Sequence, residues 1–228
     1  MERHFEHELG ELKQALLRMA SLAEQSVAQA LKALVQRDDE LAKKVHADDD
    51  LLDKLQIEID DRCIKMLGLR QPVAKDLRFI AMAMKLSTDL ERIGDQAVNI
   101  AHRAEELNKE PLLKPLVDIP HMAEIGRGMI RDTLDAFVYE KPQLAHEIIE
   151  RDQQVDDLNR QLHRELTSFM IEDPHTITRC LNLMSVAHNL ERIGDHATNL
   201  AEEIVYLYEA RDIRHQAAVA EAKANSQT

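Results

Sequence analysis

The chain has 228 residues and a formal net charge of −13, with six Gly, six Pro, two Cys, no Trp and only 3% aromatics. The acidic balance argues against general nucleic-acid binding, which needs a basic surface, and permits cation binding. No apolar run approaches the ~18–20 residues of a membrane span. The segment Met1-Glu2-Arg3-His4-Phe5-Glu6-His7-Glu8 is too charged for a signal peptide, so a cytoplasmic protein is expected.

A first helix is predicted over about Phe5–Gln36, with Leu9, Leu12, Leu16, Met19, Ala23, Val27, Ala30 and Leu34 on one face at spacings of three and four. Asp38 and Asp39 offer an N-cap for a second helix reaching about Leu69, with Leu41, Val45, Leu52, Ile59, Cys63 and Met66 inward. Gly68 and Pro72 mark the next turn, and a third helix runs over about Val73–Leu107. Pro111, Pro115 and Pro120 make Asn108–Pro120 a linker. The pattern then recurs: helices over about His121–Tyr139, Pro142–Ile171 and Pro174–Ala210, with Pro142 and Pro174 suited to first turns. The tail over about Arg211–Thr228 has no apolar stripe and is expected to fray. Cys63 and Cys180 stand alone on apolar patterns and suit burial, not a disulfide or metal pair.

The recurrence is sharpest in the third and sixth helices. Leu-Glu-Arg-Ile-Gly-Asp fills Leu90–Asp95 and again Leu190–Asp195, 100 residues later. Each copy puts Glu, Asp and Asn at i, i+4 and i+8: Glu91, Asp95 and Asn99, then Glu191, Asp195 and Asn199. The second and fifth helices align as well, Asp49 and Asp53 matching Asp152 and Asp156. Long helices joined by short turns pack antiparallel, so the expected fold is all-α: two tandem, pseudo-symmetric three-helix bundles, residues 1–107 and 121–210.

In an antiparallel hairpin, residues equidistant from the turn lie level. Asp49 with Asp95 and Asp53 with Glu91 share the midpoint Pro72; Asp152 with Asp195 and Asp156 with Glu191 share a midpoint between Asp173 and Pro174. Both sets of four carboxylates are therefore expected at one level, interrupting apolar stripes. Two unit charges ~4 Å apart cost ~4 kcal/mol at an effective dielectric of ~20, so protonation or a bound cation must relieve them. Oxygen donors suit hard cations such as Fe(III), Mn, Mg or Ca; zinc normally takes Cys or His, and none is interleaved. Asn99 and Asn199 suit either carbonyl ligation or a supporting role. Arg92 and Arg192 point elsewhere on the helix and suit salt bridges.

These residues resemble the PhoU proteins of bacterial phosphate-transport regulation. The resemblance covers nearly the whole chain and rests on the twin Leu-Glu-Arg-Ile-Gly-Asp segments, Asp49/Asp53, Asp152/Asp156 and Gln71-Pro72-x-x-x-Asp76-Leu77-Arg78. The second half departs by having His175-Thr176-Ile177-Thr178-Arg179 after Pro174. The resemblance implies a non-enzymatic negative regulator of the phosphate-starvation response. It implies partners in the ATPase subunit of a phosphate ABC transporter and a sensor histidine kinase, with peripheral placement at the inner membrane through them. It also implies a multinuclear metal cluster, iron first with Mn, Mg, Ca or Zn as alternatives, on Asp49, Asp53, Glu91, Asp95, Asp152, Asp156, Glu191 and Asp195. A homodimer is expected.

Two other readings compete. Di-iron carboxylate oxidases use Glu-x-x-His on two helices; the single Glu-x-x-His here, Glu172 to His175, straddles Pro174. His46, one turn before Asp49, and His188, one turn before Glu191, have no counterparts in the other half, which points to surface or core-edge positions. A purely structural adaptor is the third reading.

Overall fold

A computed structural model of the chain describes residues 2–70 and 72–209, with side chains from residue 5 onward. The predicted tail from Arg211 and the Gln71 position of the shared motif lie outside the described residues. All described elements are helical: α1 (Glu2–Gln36), α2 (Asp39–Arg70), α3 (Ala74–Leu107), α4 (Asp118–Val138), α5 (Pro142–Glu172) and α6 (Ile177–Glu209), with a 3₁₀ turn over Pro174–Thr176.

The helices start and stop for local reasons. Asp38 Oδ1 accepts from the Glu40 and Leu41 amides at 2.9 and 3.3 Å, capping α2. Before it, Arg37 sits at φ 58 and the Asp38 amide donates to the Ala33 carbonyl at 3.0 Å, closing α1 in a left-handed cap. The same device ends α4: Glu140 has φ 55 and the Lys141 amide donates to Ala136 O at 2.9 Å. Two boundaries differ from the sequence reading. Helix α4 begins at Asp118, not His121, because Pro120 falls in the first turn, where a missing N–H costs nothing. The linker is shorter by those residues. Helix α6 is preceded by a 3₁₀ turn because Asp173 Oδ1 takes the His175 amide at 3.0 Å.

Within each half the three helices pack on one another, α1 with α2 and α3, and α4 with α5 and α6. The halves join through α3 on α6 and α1 on α4. The predicted stripes of the first two helices enter the core, with Leu12, Leu16, Met19, Leu52 and Ile59 fully buried, joined by Ile80, Leu90, Ile93, Phe137 and Leu190 from the later helices. Each such Leu, Ile or Phe contributes roughly 1.5–3 kcal/mol by leaving water. Cys63 and Cys180 are buried free thiols, as read from their setting; burial pushes the Cys63 thiol up to about 12. The junction between halves also carries polar contacts: His196 Nδ1 and Asp89 Oδ1 at 2.9 Å, Lys85 and Glu203 at 2.8 Å, and Arg127 and Glu24 at 3.1 Å. Phe79 stacks on Phe137 with centroids 4.7 Å apart.

A left-handed conformation costs a non-glycine residue about 1–2 kcal/mol. Glu140→Gly removes that cost and gives up only an exposed pair with Lys75 at 3.3 Å. It is expected to stabilise by about 0.5–1 kcal/mol, raising Tm by ~2 °C in a melt. Arg37→Gly should gain less, because Arg37 Nη2 donates to the carbonyls of Asn108 and Glu110 at 2.6 Å each.

Candidate metal centres on two helix seams

The α2–α3 and α5–α6 turns fall where the midpoints predicted, so each hairpin brings its four acids to one level. Asp49 and Asp53 on α2 face Glu91 and Asp95 on α3; Asp152 and Asp156 on α5 face Glu191 and Asp195 on α6. Electrostatics records the juxtaposition. The Asp49 carboxyl is pushed up by burial first, then by Asp53 and Asp95. Glu91 rises through burial, then Asp95, Asp53 and Asp49. Asp95 rises through burial and Asp53, against the opposing charges of Arg192 and Arg92. In the second half, Asp152 is lifted to about 7 by burial, then Asp156 and Asp195. Asp195 rises through burial and Glu191, opposed by His196, His188 and Arg192.

The acids lie at the solvent edge of each seam instead of interrupting the core. Asp49, Glu91, Asp152, Asp156 and Glu191 are half-buried, while Asp53, Asp95, Asp195, Asn99 and Asn199 are exposed. The helix stripe drifts outward: Ile80 and Ser87 are buried, Glu91 is half-buried and Asp95 exposed. Among the described residues, no three carboxylates of either seam bring ligand atoms within 4.8 Å of one another. Asn199 lines a cavity of about 550 Å³ between α3 and α6, together with Arg92, Asp89 and Glu203. Arg92 thus serves the junction of the halves.

The sequence reading gave no role to Gly94 and Gly194, yet they set the seams. A Cβ on Gly94 would stand 2.4 Å from Leu52 Cδ1 and 3.4 Å from Asp49 Oδ1. One on Gly194 would stand 2.8 Å from Asp152 Oδ1. A mid-helix glycine costs ~0.5–1 kcal/mol against alanine, and here it lets the facing helix and its carboxylate come close. The legible signal was a glycine repeated inside two strong helical patterns.

The donor set fits a cation on two grounds. It is made of oxygens, as hard metal ions require. Asp152 Oδ1 is also buried with no hydrogen-bond partner, and although Thr198 opposes the rise in the Asp152 pKa, Thr198 Oγ1 is likewise unpaired. A buried unpaired carboxylate oxygen costs free energy until a proton or a cation reaches it. The two extra histidines take different places. His188 Nδ1 meets Glu191 Oε2 at 2.8 Å with its side chain 59% exposed. His46 is half-buried, within 3.9 Å of Glu105, and its ring meets that of His102.

The raised carboxyls predict a pH dependence. A folded-state pKa above the unfolded one means the folded chain holds more protons between the two values. For Asp152, stability without metal should be full below about 4 and fall as pH rises to about 7. Asp152→Asn should flatten this decline and raise the high-pH Tm of chelator-treated protein. Melts over about pH 4–8 check this; parallel profiles for the two proteins would contradict it.

The sequence and fold agree with known proteins over nearly the whole chain. A family model described as the PhoU domain matches residues 16–104 and 119–204, one copy per half. A phosphate-specific transport system accessory protein PhoU homolog of Aquifex aeolicus is 44% identical over 209 residues, covering 92% of this chain and 95% of that protein. A homolog of the same description from Pseudomonas putida is 39% identical, covering 94% and 84%. The crystal structure of PhoU from Pseudomonas aeruginosa superposes with a TM-score of 0.88 at 38% identity, covering 91% of this chain and all of that one. The phosphate transport system regulatory protein PhoU from Streptococcus pneumoniae gives 0.84 at 29% identity, covering 92% and 99%. With both halves matched in sequence and the whole described fold matched in space, the chain belongs to the PhoU family.

Proposed function

We propose that this protein is an accessory regulator of phosphate transport that acts by binding, without turnover. The observation that carries the reading is the near-full-length similarity to phosphate-specific transport accessory proteins, in both halves at once. In this reading the chain works in the cytoplasm, reaching the membrane through its partners. Those partners are the ATPase subunit of a phosphate ABC transporter and a sensor histidine kinase, and a homodimer is the working form. No helix among the described residues is long and apolar enough to cross a membrane. The net charge of −13 disfavours DNA as a direct target, so an effect on transcription travels through the partners.

Metal belongs to the same reading. Asp49, Asp53, Glu91 and Asp95 would hold a cation on one seam and Asp152, Asp156, Glu191 and Asp195 on the other, with Asn99 and Asn199 as neighbouring carbonyl donors. Iron in a multinuclear cluster is the first candidate, followed by Mn, Mg, Ca or Zn. A bound cation supplies positive charge that neutralises the carboxylates and ties α2 to α3 and α5 to α6. The chain's own part is to hold those carboxylates at one level on facing helices, through the hairpin register.

Two outcomes test the proposal. Native-purified protein should carry metal, and Asp95→Ala or Asp195→Ala should lower metal content in its own half. Metal bound only by the folded chain adds ~2.7 kcal/mol at a hundredfold excess over Kd, so the metal-dependent rise in Tm should shrink in each variant. Unchanged metal content and melting shift in both would remove these ligands from the reading. Separately, deleting the gene in its bacterium should leave phosphate-starvation genes on in high phosphate, and the sequence supplied in trans should restore repression. An unchanged phosphate response, with failed capture of transporter ATPase and kinase, would overturn the regulatory role.

A further inference from the structure

Beyond the carboxylate seams, one cluster brings nitrogen donors together. His46 on α2 and His102 and Glu105 on α3 each offer one ligand atom, and these atoms all lie within 4.8 Å of one another. His46 Nε2 is 3.9 Å from Glu105 Oε1, and His102 Nδ1 is 3.6 Å from Glu105 Oε2. The two imidazoles meet edge to face with centroids 5.8 Å apart. Three groups around a tetrahedral zinc ion, with bonds of ~2.0–2.1 Å, stand ~3.4 Å apart. The two short contacts go to different oxygens of Glu105, and one donor atom from each residue lies within 4.8 Å of the others, so closing on an ion needs side-chain movement of up to ~1.4 Å. The His102 side chain, 70% exposed, has room to make the adjustment.

We propose that His46, His102 and Glu105 form a separate site for a zinc-class divalent cation, with solvent completing the coordination.

The helices explain why these three converge. His102 and Glu105 are spaced i, i+3, so they share a face of α3. That face continues the line of Asp95 and Asn99 toward the end of the helix. His46 stands across the seam on α2, one turn from Asp49. The donor set differs in kind from the acids below it. Two imidazoles and one carboxylate suit Zn²⁺ and its neighbours, whereas an all-oxygen set suits hard ions. Ion pairing alone explains the cluster poorly, because exposed pairs contribute little and two imidazoles share one carboxylate. The nearby cation, Lys43, feels Glu105 but is held by Glu40 at 2.7 Å, which leaves the Glu105 oxygens facing the imidazoles.

The site belongs to the first half alone. At the matching positions the second half has Ile149, Glu202 and Val205, so the repeat there offers no imidazole. The two halves, alike in their carboxylates, would therefore differ in metal response. The proposal does not rest on the seams binding iron.

The test uses the full chain, stripped with a chelator and titrated with Co²⁺ and then Zn²⁺. Visible cobalt bands of nitrogen-and-oxygen coordination, displaced by one equivalent of Zn²⁺, are expected. His46→Gln and His102→Gln should each weaken Zn²⁺ binding by at least about 100-fold, since even outer partners of a metal ligand are worth ~10–100-fold. Asp95→Asn and Asp195→Asn should leave that binding within about threefold, so loss of Zn²⁺ binding in the histidine variants reads the trio and not the seams. Helical circular dichroism of each variant checks the fold, and exposed His102 should tolerate the change. Absence of the cobalt bands, or wild-type Zn²⁺ affinity in both histidine variants, overturns the site.

Discussion

Close approach of α3 to α2, and of α6 to α5, at one glycine in each pair is the constraint on which the rest depends. At Gly94 and Gly194 a β-carbon would meet the ends of two side chains, Leu52 Cδ1 at 2.4 Å and Asp152 Oδ1 at 2.8 Å, which would have to turn away. The facing helix therefore settles in the glycine notch, and its aspartate comes down beside the Glu and Asp of the repeated hexapeptide. Apolar side chains on either side of the notch lock the arrangement, Ile93 and Leu52 in one half, Ile193 and Val155 in the other. A side chain at either glycine would first displace Leu52 in one half or the Asp152 carboxylate in the other.

That closeness carries an electrostatic cost. Each seam gathers four acids where burial and mutual repulsion raise the carboxyls, most of all Asp152. A chain selected only for stability would place lysines or leucines there. Keeping the acids, in duplicate and in register, makes sense when something positive is to be held. The edge position matters as well. Half-exposed carboxylates can exchange a proton or an ion with solvent, which a sealed core would prevent.

The halves are alike but are not independent. Helices α3 and α6 carry both the hexapeptides and the junction, so each seam helix also faces the other half. Arg192, from the second half, acts on Asp95 in the first, and Asp89 bonds His196 across the junction at 2.9 Å. A change of charge on one seam is thus felt by groups that belong to the other. The trio His46, His102 and Glu105 breaks the symmetry, being present in one half only.

Six helices, their duplication and the level of the carboxylates were all legible in the chain. Period-3.6 stripes, capping residues and prolines are local signals, and the hairpin register follows from counting outward from a turn. Pro120 misled because the same residue that ends one helix can open the next, and its first-turn place is decided by where the preceding chain is held. Three matters were tertiary. Only the packed helices showed that the acids sit at the seam's edge: two successive i, i+4 steps of about 40° each carry the line from buried Ser87 through Glu91 to exposed Asp95. Only they gave Gly94 and Gly194 a reason, since a close contact needs the partner's side chain in place. And only they joined His46 to His102 and Glu105: counting from Pro72 puts His46 level with Val98, and which side chains one turn further on reach across is decided by how the helices pack.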